Sequence, residues 1–135
     1  MHMRKHRSSN GKPMNWVNYP SDVKDIYIRL EVDGEGVRLC VDIQPKDDGI
    51  RAIIWEQFTE LKTVLLQEME VDPIWNESSH SIGGKQVSRV YWETRDLNYY
   101  RDEDIPQIQD WLEDKLLRFD RFYQEYKEIL INLVA

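Results

Sequence analysis

Residues 15–67 decide the fold of this chain: NWVNYPSDVKDIYIRLEVDGEGVRLCVDIQPKDDGIRAIIWEQFTELKTVLLQ. Apolar and polar side chains alternate in residues 26–32 and again in residues 37–43. This period of two places one face of each strand against a core. The DGEG segment at residues 33–36 lies between them, and its glycines offer the positive φ that tight turns need. The sequence therefore predicts a β-hairpin.

A helix is predicted next, over residues 48–69. Pro45 ends the second strand, and the carboxylates of the Asp47-Asp48-Gly49 segment can accept the unpaired amide hydrogens of a helix start. Apolar residues then recur every three or four positions, at Ile50, Ile54, Phe58, Leu61 and Leu65. The helix closes at Asp72-Pro73, because the residue before a proline avoids the α conformation. Upstream, residues 15–19 predict a short edge strand that Pro20 ends.

The rest of the chain predicts two more strands and a long helix. The strands cover residues 74–75 and 87–93, and the polar stretch between them contains Gly83-Gly84 and resembles a hairpin loop. From Asp104 to Leu133, apolar residues recur every three or four positions. A continuous helix of about 30 residues would be about 45 Å long, which exceeds the width of such a domain. Either it divides near residues 118–120 into two packed helices, or its far end meets a second copy of the protein.

Length and composition limit the class of protein. With 135 residues, of which 41% are hydrophobic, the chain fits a single domain over residues 15–135. The net charge of −7 disfavours general binding to nucleic acid, because phosphates would be repelled. Cys40 is the only cysteine, which excludes an internal disulfide and favours a reducing, cytoplasmic location. No apolar run approaches the roughly 20 residues of a membrane span.

Residues 1–14 differ from the rest in charge. Four basic residues lie among serine, asparagine and glycine there: Arg4, Lys5, Arg7 and Lys12. A solvated, partly disordered tail is the simpler interpretation of this segment, and an arm that binds nucleic acid is the alternative.

The polar face of the hairpin holds the candidate chemistry. Strand alternation brings Tyr27, Arg29 and Glu31 beside Cys40, Asp42 and Gln44. With Lys46 nearby, Glu31 and Asp42 resemble the carboxylate and lysine set by which some nucleases hold a divalent metal and activate water. In such sites an acid, one spacer and a lysine follow on one strand, whereas here glutamine stands at position 44. A solvated sheet face with cross-strand ion pairs is the simpler interpretation.

Other catalytic groups are poorly represented. Cys40 would need a neighbouring base to act as a nucleophile, yet His2 and His6 lie in the tail and His80 in the polar loop. These residues also fall short of a four-coordinate zinc site. A group of aromatic residues could stack bases or bind a protein, although core packing explains them more simply: Trp75, Tyr91, Trp92, Tyr99 and Tyr100.

Several segments together resemble a known family. These are NWVNY at residues 15–19, VKDIYIR at 23–29, EQFTELK at 56–62 and SRVY at 88–91, with Ile50-Arg51 before the third. The pattern resembles the NW-NY and KDIYFRM signature of a bacterial family, domain of unknown function 4268, over nearly the whole chain. The resemblance implies a protein found alone or fused beside nuclease-like domains, and so a link with nucleic-acid processing or genome defence. It brings no catalytic residue.

The resemblance also bears on the fold. Relatives in that family begin with a helix that carries a Phe-Trp pair, and this chain starts near where that helix would end. A helix followed by three strands, a helix and a strand would echo the restriction-endonuclease-like core, as an analogy of fold alone.

The predicted fold class is α+β, with a mainly antiparallel sheet of about five strands covered on one face by two helices. The leading functional interpretation is a non-catalytic binding or interaction module, with a protein partner or self-association through the C-terminal helix. The alternative is a degenerate metal-dependent nuclease that uses Glu31, Asp42 and Lys46. No cofactor is predicted, and a divalent metal is expected only under the alternative.

Overall fold

The structure, a computed structural model, describes residues 18–82 and 85–134. Four strands of seven or more residues form an antiparallel sheet: β2 (Ile26–Val32), β3 (Val37–Ile43), β4 (Ile74–Ile82) and β5 (Lys85–Thr94). A two-residue strand, β1 (Asn18–Tyr19), pairs with β2, so that the spatial order is β1-β2-β3-β5-β4. The α+β class and the antiparallel sheet are confirmed.

The predicted number of about five strands is met only in part, because β1 has two residues and the other four are full strands. Residues 15–17 of the predicted edge strand lie outside the described residues. The predicted tail over residues 1–14 lies outside them as well.

The β2–β3 hairpin occupies the predicted ranges, and its turn is built differently from the prediction. Asp33 donates its N–H to the carbonyl of Gly36 at 3.0 Å, and its carboxylate accepts from two backbone amides of the turn. The expectation of a positive φ at the glycines is wrong, since neither Gly34 nor Gly36 has one. Gly36 is required for space, because a Cβ there would lie 2.5 Å from the carbonyl oxygen of Thr94.

The β4–β5 hairpin is longer than predicted. β4 continues from Ile74 to Ile82 and β5 begins at Lys85, so most of the polar stretch expected to be a loop is strand. His80 therefore lies in β4 and not in a loop. β4 is one of the two edge strands of the sheet. An outer strand need not show a regular apolar alternation, which explains why the period of two is absent there.

The predicted helix over residues 48–69 is two helices, α1 (Asp48–Glu60) and α2 (Lys62–Met69). Asp47 caps α1, as expected, by accepting from the backbone amide of Ile50 at 3.0 Å. Leu61 separates the helices, yet its N–H still bonds to the carbonyl four residues back. Ile50 is 43% exposed, so its predicted place in the buried stripe is wrong. The side chains that α1 buries are those of Ile54 and Phe58.

A single helix, α3 (Ile105–Val134), follows a short 3₁₀ turn at Asp102–Asp104. Its 30 residues correspond to about 45 Å. The predicted division into two packed helices near residues 118–120 is wrong, because α3 is continuous through them. Contact of its far end with a second copy stays a prediction. Six of its buried apolar residues follow the helical repeat: Ile108, Leu112, Leu116, Phe119, Tyr123 and Leu130.

The core lies between one face of the sheet and the helices. Ile28, Val41 and Val90 are neighbours across β2, β3 and β5, and all three are buried. Phe119 of α3 stacks on Tyr123 with ring centroids 5.4 Å apart and meets Trp92 edge-on at 6.0 Å. Three helices, rather than the predicted two, cover this face. None of the helices in the described residues has the length and apolar character needed to span a bilayer.

Candidate functional site

The predicted site lies on the face of the sheet opposite the helices. In the β2–β3 register, Tyr27 pairs with Asp42 and Glu31 pairs with Arg38. β5 adds Arg89 beside Asp42. Alternate residues of neighbouring strands share a face, so these side chains are presented together. We call six of them the charged face: Arg29, Glu31, Arg38, Asp42, Arg89 and Glu93.

Asp42 is held by two arginines. Arg89 donates from Nε and Nη2 to the two carboxylate oxygens of Asp42, at 2.6 and 3.0 Å. Arg29 donates from Nη1 to Asp42 Oδ2 at 2.5 Å. The side chain of Asp42 is 0% exposed and that of Arg89 is 6% exposed. Two guanidinium groups thus compensate this buried carboxylate, and a divalent cation would have to displace them.

Glu31 is engaged in the same way. It accepts from Arg38 Nε at 3.1 Å and from both Nη atoms of Arg89 at 3.2 Å. Burial raises the pKa of Glu31, but the positive charge of Arg89 and the hydrogen bonds from Arg38 and Arg89 outweigh it, so the pKa is lowered overall. Arg38 also donates to Glu93 Oε2 at 3.1 Å. The network therefore ties β2, β3 and β5 together.

The structure brings Glu31 and Asp42 together around Arg89 but does not add Lys46. Lys46 is exposed in the segment between β3 and α1. Within residues 18–82 and 85–134, it forms no ion pair with either carboxylate. Gln44 accepts from Arg29 Nη1 at 2.8 Å. The described part of the chain contains no group of three or more potential metal ligands among histidine, cysteine and the acids.

The burial of the charged face differs from the expectation. Cross-strand ion pairs are present as predicted, yet the face is not generally solvated, since Asp42 is fully buried and Arg89 is 5% exposed. The sequence left open whether Arg89 converges with Glu31, Asp42 and Lys46, and it indicated no role for Arg38. A single sequence predicts β5 as a strand, but its alignment beside β3, which brings Arg89 to Asp42, depends on the folded chain.

Cys40 lies between the charged residues, fully buried. Burial raises the pKa of its thiol to about 12, and the nearby Arg89 lowers it only in part. A thiol is nucleophilic in its thiolate form. Cys40 is therefore suited to packing.

The five aromatic residues of the second sheet region divide between core and surface. Trp92 is 2% exposed and donates from Nε1 to the carbonyl of Val71 at 3.0 Å. Trp75 meets Trp55 edge-on, with centroids 5.5 Å apart. Core packing explains these residues, but it does not explain Tyr100, which is 78% exposed.

A groove between α2 and α3 was not expected from the sequence. It encloses about 330 Å³, and apolar and charged side chains line it: Val64, Gln67, Glu68, Arg121, Phe122, Glu125 and Tyr126. Its apolar wall is continuous, since the rings of Phe122 and Tyr126 lie 5.2 Å apart. At one end, Arg121 pairs with Glu68, and Arg118 donates to the backbone carbonyl of Glu68 at 3.2 Å. These contacts join α2 to α3.

An exposed apolar strip continues the groove along α3. Ile129 and Leu133 follow Tyr126 at spacings of three and four residues, and they are 38% and 39% exposed. The available signal in the sequence was a second apolar stripe on this helix, beside the stripe that enters the core. It runs through Phe122, Tyr126, Ile129 and Leu133.

The fold and the two surfaces describe an α+β domain whose sheet carries helices on one face and an arginine and carboxylate network on the other. A model of the family described as "Domain of unknown function (DUF4268)" matches residues 1–127. The chain belongs to this family, as the resemblance of its sequence motifs indicated. Neither the search among curated proteins nor the search among solved structures found a match.

Proposed function

We propose that this domain is a non-catalytic interaction module, which binds a protein partner through the groove between α2 and α3. The groove and the strip of Ile129 and Leu133 are the observation that carries the proposal. They combine an apolar floor with a polar rim, which is the anatomy of a protein interface.

The electrostatics of the groove also favour a protein partner over a nucleic acid. Its rim carries the acids Glu68 and Glu125, and Arg121 already pairs with Glu68. The net charge of the whole chain is −7. A polyphosphate chain would be repelled from such a surface, whereas an amphipathic helix could place apolar side chains against the half-buried Tyr126 and the exposed Ile129.

The charged face supports a structural role more than a catalytic one. A general base or a metal ligand needs an accessible lone pair. Asp42 directs both carboxylate oxygens to arginines and is buried, and Glu31 accepts from Arg38 and Arg89. Ion pairs that are fully formed in this way fix the alignment of strands.

The interaction proposal is tested with two matched variants. Ile129→Asp places a charge in the strip, and Leu66→Asp places one elsewhere, on α2; both residues are 38% exposed and helical. A photo-crosslinking amino acid at position 126 would capture a partner from cells, and the captured protein would then be purified and titrated against each variant. We expect at least a tenfold loss of affinity for Ile129→Asp and no change for Leu66→Asp. Equal effects of the two variants would overturn the proposal.

A degenerate metal-dependent nuclease is the second candidate, and it would link the domain to nucleic-acid processing. It draws support from the approach of Glu31 and Asp42 to one guanidinium group, that of Arg89. Under this candidate, Lys46 would assist and Gln44 would stand in place of the usual lysine. Calorimetric titration with Mn²⁺ or Mg²⁺ tests it, with Asp42→Asn as the matched variant. Absence of binding, or binding that Asp42→Asn leaves unchanged, would exclude this candidate.

A further inference from the structure

We propose that a second cavity, apart from the groove, binds a small zwitterion such as a free amino acid with an apolar side chain. This cavity lies where the segment after α2 and the start of β4 meet β5 and α3. It encloses about 150 Å³, which is the room of about five water molecules. Pockets for drug-sized ligands start at roughly 300 Å³, so the ligand must be small.

The walls of the cavity are mainly aromatic and apolar. They are formed by five side chains: Val71, Ile74, Tyr91, Trp92 and Trp111. Trp92 is buried, and its Nε1 donates to the carbonyl of Val71 at 3.0 Å, which ties β5 to the segment after α2. Val71 and Ile74 are about half exposed. An apolar group of a ligand would shield these walls from water and so gain free energy.

Lys115 supplies a positive charge that lacks a strong partner. Its side chain is 14% exposed, and its ammonium lies 6.0 Å from the centre of the Trp111 ring. Among the described residues it pairs with the carboxylate of Asp114 alone, at 3.4 Å. Both oxygens of Asp114 also accept from Arg118 Nε, at the shorter distances of 3.0 and 3.2 Å. A carboxylate in the cavity would give Lys115 a better hydrogen bond than the one it has.

The cavity also contains one negative charge that is not compensated. Glu93 is compensated, because Arg38 and Arg95 donate to its two oxygens at 3.1 and 2.9 Å. Asp72 is exposed, and it forms no ion pair with Lys115 or with any other side chain in the part of the chain that the structure describes. The charges that remain in the cavity are therefore one ammonium and one carboxylate.

This pair of charges selects the class of ligand. A ligand with only a negative charge would be attracted by Lys115 and repelled by Asp72, and a ligand with only a positive charge would experience the reverse. A zwitterion is attracted by both, when its carboxylate faces Lys115 and its ammonium faces Asp72. An α-amino acid carries these two groups on one carbon, and its side chain would lie against the ring of Trp111.

The test is calorimetric titration of the purified chain with valine, leucine and phenylalanine up to about 20 mM, which detects dissociation constants in the millimolar range. The amino acid that binds most tightly is then compared with its N-acetyl derivative, which lacks the positive charge, and with its amide, which lacks the negative one. We expect either change to weaken binding about tenfold. Absence of binding for all three amino acids, or equal binding of the amino acid and its two derivatives, would overturn the proposal.

Two variants then assign the contacts. Lys115→Met should weaken binding about tenfold. Its matched control is Lys127→Met, because Lys127 lies on the same helix, is also 14% exposed and pairs with Asp22 outside the cavity. Asp72→Asn should weaken binding severalfold, with Asp110→Asn as the control at an exposed position outside the cavity. A loss in either variant that is no larger than the loss in its control would contradict the assigned contact and overturn the zwitterion site.

A measurement on the unaltered chain does not depend on how the variants fold. In a nuclear magnetic resonance titration, the indole N–H signal of Trp111 should shift as the amino acid is added. The signal of Trp55 is the internal control, because Trp55 packs against Trp75 and does not line this cavity. A shift for Trp55 without one for Trp111 would locate the ligand elsewhere and overturn the proposal.

Discussion

On one face of the sheet, Ile28, Val41 and Val90 meet across three strands beneath the helices. On the other face, Arg89 meets Asp42 and Glu31 across the same strands. Burial of apolar side chains stabilises the fold whatever their relative orientation. An ion pair stabilises it only when two particular groups are correctly placed. We infer that the first face supplies most of the stability and that the second specifies how the strands align.

The largest effect is expected on the apolar face, for Phe119→Ala. Phe119 is fully buried, and its ring contacts Tyr19, Trp92 and Tyr123. Removing the ring leaves a cavity, so we expect the free energy of unfolding to fall by about 4 kcal/mol in urea denaturation. Ile53→Ala is the control, because Ile53 is 49% exposed, and it should change the same quantity by less than about 0.5 kcal/mol. Similar losses for both variants would contradict the assignment of the core.

The charged face should respond nearly as strongly to Arg89→Met. This change leaves the fully buried Asp42 with Arg29 as its remaining arginine, and we expect a loss of about 3 kcal/mol. Arg95→Met is the matched control, because the Arg95 side chain is 76% exposed and solvent screens its ion pair with Glu93, so the loss should be much smaller.

A double variant then separates stability from alignment. Arg89→Met combined with Asp42→Leu removes both charges, and most of the lost stability should return. If the loss in the double variant equals the sum of the losses in Asp42→Leu and Arg89→Met, the two residues have no coupling energy, and the ion pair does not align the strands as we infer.

The apolar face was the more predictable of the two, for a physical reason. A period of two in residues 26–32 and 37–43 reports directly which side chains enter a core, and the structure follows it at Ile28 and Val41. The apolar stripe of α3 likewise predicted a long helix. Both signals are local, since each depends on spacing within one segment.

The charged face and the groove depend on contacts between distant segments. Sequence reasoning placed Glu31 and Asp42 on one face, but the arginine that joins them arrives from β5, 47 residues after Asp42 in the sequence. The groove likewise arises where α2 meets α3. Ile50 followed the helical repeat and is nevertheless exposed, because periodicity gives the direction of a side chain and not the extent of the layer that covers it.

A smaller effect is expected for Tyr19→Phe, which tests whether the apolar face also contains specific polar contacts. The Tyr19 hydroxyl donates to Asp120 and accepts from Gln124 Nε2 at 3.0 Å, and Tyr19 is 4% exposed. Losing this hydroxyl removes a donor from a buried carboxylate, so we expect a loss of about 1 to 2 kcal/mol in urea denaturation. Tyr100→Phe is the control, since Tyr100 is 78% exposed. A loss no greater than that of Tyr100→Phe would mean that the Tyr19 hydroxyl contributes no stability and that packing alone stabilises the apolar face.

The smallest effect is expected from acid, and it bears on the charged face alone. Burial raises the pKa of Glu31 and of Glu93, but Arg89 and Arg38 outweigh it for Glu31, and hydrogen bonds from Arg95 and Arg38 outweigh it for Glu93. Both carboxyls therefore bind protons more weakly in the folded chain than in the unfolded one. Their contribution to stability is complete above the unfolded pKa of about 4.3 and is lost as the pH falls through the lowered folded values.

Urea midpoints between pH 7 and pH 3 measure this contribution. We expect a plateau down to about pH 5 and then a decline, with a shallower decline in the variant Glu31→Gln with Glu93→Gln. High salt should reduce the difference between that variant and the wild type, because both carboxylates are partly exposed and their ion pairs are screened. If the urea midpoint of the variant declines as steeply as that of the wild type, the acid sensitivity arises outside the charged face. The ionisation of Glu31 and Glu93 would then contribute little to stability.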